Sequence, residues 1–248
     1  MKKSVKLMQS PMCRVKRHAC GGGGTLGFTL AEVLITLGII GVVSAITIPS
    51  LIANYQKKVA AAKLKKAYSV ISQAIEHAEI DNGQMSEWSM NKPIYDQSLD
   101  IIWYKTNLEY ILPYLDGAVM KYDIYPEILA YGNVDTIKNL AGNSISGPLA
   151  RYFIVTKDGM FISIGHVNWI GIVPFFTVDI NGKSGPNTWG KDIFSFQVAN
   201  KNKLTGANFN NESYEQILNG SCSKNYSGKN DTCSTLILQD GWRIKYPW

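Results

Sequence analysis

Apolar and polar residues alternate differently in successive parts of this chain. Phe28 to Ile52, FTLAEVLITLGIIGVVSAITIPSLI, is 25 residues long and carries one charge, Glu32. About 20 consecutive apolar residues span a bilayer, so the run predicts a transmembrane helix. A secretory signal peptide is the rival, but its apolar core would be only about 7–15 residues, and here the residues beyond continue as helix. From Asn54 to about Ile80, NYQKKVAAAKLKKAYSVISQAIEHAEI is rich in Ala, Lys and Leu, all good helix formers. Val59, Leu64, Tyr68, Ile71, Ile75 and Ala78 recur at helical spacing and predict one apolar face. Lys57, Lys58, Lys63, Lys65 and Lys66 lie mostly elsewhere on the wheel. Together the runs predict one long helix, with Pro49 as the point where a lost backbone donor and a steric clash would kink it. Gly38 and Gly41 are further weak points, and Asp-Asn-Gly at 81–83 ends the helix.

Downstream, SLDIIWYKTNLEYILPYLD predicts a helix ended near Pro113. Turn-rich segments come next, as far as GNSISGP. RYFIVT and MFISIG then flank Lys-Asp-Gly as a β-hairpin, since β-branched and aromatic residues bracket an Asp-Gly turn. IGIVPFFTVDI and DIFSFQVA read as further strands, NESYEQIL as a short helix, and STLILQD with RIKYPW as a closing strand pair around Gly-Trp. The fold class expected is α+β, a long N-terminal helix packed on a mainly antiparallel sheet. The organisation expected is a basic leader (1–27), a transmembrane helix (28–52), an amphipathic continuation (53–80) and a globular α+β domain (81–248). No internal repeat is present in the sequence.

Locating the charge removes a nucleic-acid reading based on net charge alone. The formal net charge is +6. Residues 1–27 hold Lys2, Lys3, Lys6, Arg14, Lys16 and Arg17 and no acid, and without those six the remainder has 19 basic and 19 acidic residues. The excess therefore belongs to the leader. The basic leader favours the cytoplasmic side of a membrane, although the lysines after the span weaken the asymmetry. Cys13 and Cys20 precede the span and are expected as reduced thiols. Cys222 and Cys233 lie beyond it, and an oxidising space would join them as a disulfide closing CSKNYSGKNDTC. A metal pair is the alternative, but no His or further Cys lies nearby.

Glu32 asks for a reason, because a carboxylate at the bilayer centre costs about 2.5–3.5 kcal/mol on insertion scales. A basic leader, Gly27, the aromatic Phe28, Thr29 and a carboxylate at Glu32 open the apolar run together. From Gly27 through FTLAEVLITLGIIGVVSAITIP to Pro49, the sequence resembles the type IV prepilin-like proteins, including the pseudopilins of type II secretion. That resemblance implies cleavage between Gly27 and Phe28 by a prepilin peptidase and N-methylation of Phe28. It also implies an inner-membrane precursor with its domain in the periplasm or outside, and assembly of mature subunits, on an inner-membrane platform, into a filament with other pilin or pseudopilin subunits. Cleavage creates an ammonium at Phe28, with a reference pKa of about 7.7–8.0. A neighbour's Glu32 can pair with it in the apolar filament core, fixing axial register. The bland alternative is a plain anchor with Glu32 snorkelling to water. The leader is long for this pattern, its Gly21–Gly24 run is unusual, and Met8 or Met12 are alternative starts.

VDINGKSGPNTWGKDIF places Asp179, Asn181, Ser184, Asn187 and Asp192 in a Gly-rich connection between two strands. Calcium takes oxygen ligands of this kind, and Gly182 falls too early for an EF-hand loop. Major pseudopilins hold calcium in a C-terminal loop, so the resemblance implies Asp179, Asn181 and Asp192 as calcium ligands; Asn-Gly and Gly-Pro-Asn turn chemistry alone is the competing reading. The ending CSTLILQDGWRIKYPW is similar to that of pilin-like secretion proteins with a C-terminal disulfide. Its Trp242, Tyr246 and Trp248 are expected in the core rather than on a filament surface. No metalloprotease or hydrolase motif occurs, and His18, His77 and His166 form no catalytic set. Glu76, His77 and Glu79 read as a solvated helix end. The expected function is structural and not enzymatic, with no specific nucleic-acid partner. The alternatives are a pilin-like module that binds DNA or a surface ligand, and a membrane-anchored periplasmic enzyme.

Overall fold

The computed structural model describes residues 27–88, 107–122, 137–145, 152–167, 173–182, 184–199 and 203–248. The leader before Gly27, with its basic residues and Cys13 and Cys20, lies outside the described residues, as does the first part of the helix expected before Pro113. Two compact units are present, Met1–Pro49 and Ser50–Trp248.

A single helix, α1, runs Leu30–Asn82 and passes through Pro49. In the first unit its side chains are exposed apart from a half-buried Ser44. By length and composition this helix is able to cross a membrane. In the second unit α1 is amphipathic. Its buried face is Ala60, Ala61, Leu64, Ala67, Ile71, Ala74, Ile75 and Ala78. This corrects the expected stripe: Val59 is 37% exposed and Tyr68 only partly buried. Alanines do most of the facing because a small side chain lets the helix backbone approach the sheet closely.

The sheet has six strands in the order of the chain: β1 (Val119–Tyr122), β2 (Tyr152–Val155), β3 (Phe161–Val167), β4 (Val173–Asp179), β5 (Ile193–Ala199) and β6 (Lys203–Gly206). Every neighbouring pair is antiparallel. The α+β layout, the Lys-Asp-Gly hairpin and the two strands around the Gly-rich connection are as the sequence predicts. Period-two alternation turns Ile162, Ile164, Phe176, Val178, Phe194, Phe196 and Val198 into the core shared with α1. Tyr68 ties helix to sheet. Its ring meets Phe196 edge-on at 5.5 Å, and its hydroxyl donates to the Leu204 carbonyl at 2.8 Å. The strands β1 and β6 were not legible, since each is short and carries Lys, and β6 ends in Gly206.

The closing strand pair is a correction. Cys233–Gln239 forms a helix, and the residues after it are irregular. Counting the helical turn at 107–111 as α2 and the capped turn Tyr214–Gln216 as α3, this helix is α4. A short apolar run does not distinguish strand from helix by periodicity. Gly241 settles the matter: at φ +65° it terminates a helix, with the Trp242 amide donating back to Ile237 at 2.8 Å. The helix sits on β6 because Gly206 has no side chain; a Cβ there would lie 2.4 Å from the Thr235 Cα. Before it, α3 carries a capping box between Ser213 and Gln216 and continues as a π-turn, Ile217–Ser221. The expected disulfide is formed. Cys222 and Cys233 are fully buried and bonded, tying that turn to the start of α4. Closing such a loop contributes on the order of 2–3 kcal/mol in the chain-entropy account.

The corrected helix face can be tested by chemical denaturation of the full chain. Leu64→Ala should cost about 2–5 kcal/mol, as for other buried leucines, while Val59→Ala should stay within about 0.5 kcal/mol. Equal losses would return Val59 to the core.

Candidate functional site

Two clusters carry chemistry, one in each unit. In the first, Gly27 and Phe28 precede α1 in an exposed segment without regular structure, and Phe28 is 87% exposed. Thr29 caps the helix. Its hydroxyl accepts the Glu32 amide at 3.2 Å, and Glu32 Oε2 accepts both the Thr29 amide and the Thr29 hydroxyl at 2.8 Å. This is a reciprocal capping box, and it satisfies donors that a helix start leaves open. The sequence reading missed it, though Thr-x-x-Glu before an apolar run is its signature. Glu32 thus has a local role in its own chain, whatever it does between chains.

The second cluster is the β4–β5 connection. Asp179 closes β4 opposite Ile193, which opens β5, and Ile180 N–H donates to Asp192 O at 2.9 Å. This pairing brings the two carboxylates to the same end of the hairpin. Asp179 Oδ1 accepts the amides of Asn181 at 3.1 Å and Gly182 at 2.8 Å, a side-chain-mimicked turn. Gly182 is required there: φ is +56°, and a Cβ would lie 2.0 Å from the Gly159 carbonyl oxygen. Asp192 Oδ2 accepts the Asn187 amide at 2.8 Å and the Asn181 side-chain amide at 3.2 Å, while its Oδ1 accepts the Thr188 amide. The structure therefore joins Asp179, Asn181 and Asp192 through Asn181, which bonds to both acids. Ser184 is exposed at the edge of the loop, and Asn187 takes part through its main chain.

The acids are costly where they stand. Asp179 is 2% exposed and Asp192 3%. Burial, and then the charge of Asp192, push the Asp179 carboxyl up to about 8 against the pull of its two amides and of Lys63. Burial also raises Asp192, opposed by its hydrogen bonds. Asp179 Oδ2 and Asn181 Oδ1 are buried and accept no hydrogen bond. Buried acceptors without donors are uncommon and call for a partner. A hard cation suits this donor set, because the set is oxygen-only, with two carboxylates and an amide beside main-chain carbonyls. Among the described residues no three His, Cys, Asp or Glu cluster, so a cation here would rest on two carboxylates together with amide oxygen. The residues present fit calcium, which Asp179, Asn181 and Asp192 would hold.

Alongside the loop lies a cavity of about 250 Å³, lined by Tyr55, Val59 and Lys63 of α1, by Asn181 and Asp192, and by Trp248. The chain end is pinned here. Lys57 donates to the Tyr246 carbonyl at 2.6 Å, and the buried Tyr246 hydroxyl donates to the Gly190 carbonyl at 2.6 Å. Lys57 and Lys191 stand 5.9 and 5.3 Å from the centre of the Trp248 ring. Tyr246 is buried and Trp242 and Trp248 are partly buried against the core, which agrees with the core expectation for the tail. Nothing in local sequence pattern brings Lys63 to this loop, since the two are more than a hundred positions apart.

The pH dependence comes from Asp179. Its folded value, about 8, lies above the ordinary 3.8. Between those limits the folded chain holds a proton that the unfolded chain releases. This carboxyl's contribution to stability is therefore complete below about pH 4 and declines as pH rises to about 8. In chelator, thermal midpoints should fall over that window, and Asp179→Asn should flatten the fall. Added calcium should raise the midpoint, more at about pH 8 than at about pH 5, because a bound cation stabilises the ionised form. Midpoints indifferent to calcium and chelator would remove the cation site.

Comparison with known proteins gives one match. No curated protein and no solved structure matches the chain. Residues 50–248, which contain most of the chain, the whole sheet, the disulfide and the Asp179–Asp192 loop, match the family described as "Family of unknown function (DUF6613)". The chain belongs to that family.

Proposed function

We propose that this protein is a filament subunit of the type IV prepilin-like class, either a type II secretion pseudopilin or a type IV pilus-like subunit, and that it is a substrate of a processing enzyme rather than an enzyme. One observation carries the reading. The helix residues from Leu30 to Ile52 are apolar and exposed, with their single carboxylate in the first turn, three residues after the capping Thr29. An exposed apolar face of this extent needs a bilayer or copies of itself. A lone carboxylate at the start of such a helix needs a cation once water is excluded.

In this reading a prepilin peptidase cuts between Gly27 and Phe28 at the cytoplasmic face and N-methylates Phe28. The precursor is a single-pass inner-membrane protein with residues beyond the span outside the cytoplasm. An extracytoplasmic position for this part agrees with the Cys222–Cys233 disulfide. Subunits leave the membrane through an inner-membrane platform and stack by α1. Each Glu32 then neutralises the Phe28 ammonium of a neighbour, while its capping contacts hold the carboxylate at the helix end.

Mass spectrometry of the mature protein should find N-methylated Phe28 at the N-terminus; another terminus sinks the processing claim. Glu32→Gln separates the two roles of Glu32. Glutamine serves a capping box as glutamate does but carries no charge. The variant should insert and begin α1 normally yet fail to form filaments, whereas Glu32→Ala should lose the cap as well. Filaments of normal yield from Glu32→Gln would refute the charge pairing.

A further inference from the structure

The cavity beside the β4–β5 loop contains a cation of the protein's own. Lys63 lines it together with Asn181 and Asp192, and its charge acts on Asp179. Helix packing sets its position. Ala60, Ala61, Leu64 and Ala67, on either side of it, are buried, so Lys63 can leave the cavity rim only by swinging its side chain or by moving the helix. The neighbouring lysines have partners of their own. Lys57 holds the Tyr246 carbonyl and Lys66 pairs with Asp158; Lys191 also lines this cavity, with its ammonium over the Trp248 ring. Among the described residues Lys63 makes no hydrogen bond or ion pair of its own. The buried acid on which its charge acts is Asp179.

The geometry points to Lys63 as a tethered competitor for the oxygen site: its ammonium partly compensates the Asp179 carboxylate when no divalent cation is bound, and it opposes a divalent cation that enters. This role rests on the fit of the loop to calcium. Cation occupancy is then coupled to α1, because the competing charge is delivered by the helix and not by the loop. Like charges in one cavity repel, and the repulsion weakens with distance, solvent exposure and salt. Lys63 is an exposed residue, so the effect expected is moderate.

The test is a titration of the full chain in detergent with Tb3+, a luminescent stand-in for Ca2+ that the Trp248 indole lining the cavity can sensitise, followed by displacement with Ca2+. Signal that Asp192→Asn abolishes is assigned to this site. Lys63→Gln should lower the half-saturating cation concentration by about threefold or more, and Lys63→Glu further, with the difference from the parent chain shrinking as salt is raised. Both substitutions are at an exposed position, and a cooperative thermal transition in chelator would confirm that folding is intact. Equal half-saturation in all three chains overturns the role of Lys63 and leaves the cation site standing. A titration without any Asp192-dependent signal in any of the three overturns both.

Discussion

Seating the alanine-rich face of α1 on one side of the antiparallel sheet is the constraint on which the second unit depends. Ala60, Ala61, Ala67, Ala74 and Ala78 allow close approach, and Leu64, Ile71 and Ile75 fill the spaces between strands. The same seat fixes the remaining helix residues by default. Tyr68 reaches the Leu204 carbonyl, Lys57 reaches the Tyr246 carbonyl, and Lys63 arrives at the β4–β5 loop. Packing of a small-residue face thus determines where distant charges meet.

Charge burial is handled differently in the two clusters. Glu32 is exposed, and its cost arises only when water is removed, in a bilayer or between subunits. Its capping contacts with Thr29 satisfy part of its hydrogen-bonding capacity at all times. Asp179 and Asp192 are buried within one chain, so their cost is present in the folded monomer. Main-chain amides meet several of their oxygens, Lys63 supplies some counter-charge, and Asp179 Oδ2 is left over. A buried carboxylate oxygen without a donor is costly, which is why occupancy by a cation and stability should be linked there.

Much of the fold was legible in the chain itself. The long apolar run, the helix that continues it, the Lys-Asp-Gly hairpin, the strands flanking the Gly-rich connection and the Cys222–Cys233 pair all come from local periodicity, turn residues and cysteine placement. Where local rules were ambiguous they misled. CSTLILQ is apolar and short, so strand and helix looked alike, and only Gly241 in its left-handed conformation and the fit of Thr235 against Gly206 decided for helix. The helix face was drawn through Val59 because hydrophobicity was counted and side-chain size was not. The strands β1 and β6 escaped because their places in the sheet are set by neighbours rather than by their own residues.

By itself, then, the sequence determined the elements whose signals are local: an exposed apolar helix with one carboxylate in its first turn, an antiparallel α+β domain, and acids and amides gathered in one loop. These depend on residues within a few positions of each other, where spacing is enough. Tertiary structure alone decided which alanines face the sheet, that Asn181 bridges Asp179 and Asp192, and that Lys63 lines the cavity beside their loop. Those relations join residues far apart in the chain, and they exist only once burial of the α1 face has fixed the helix against the strands.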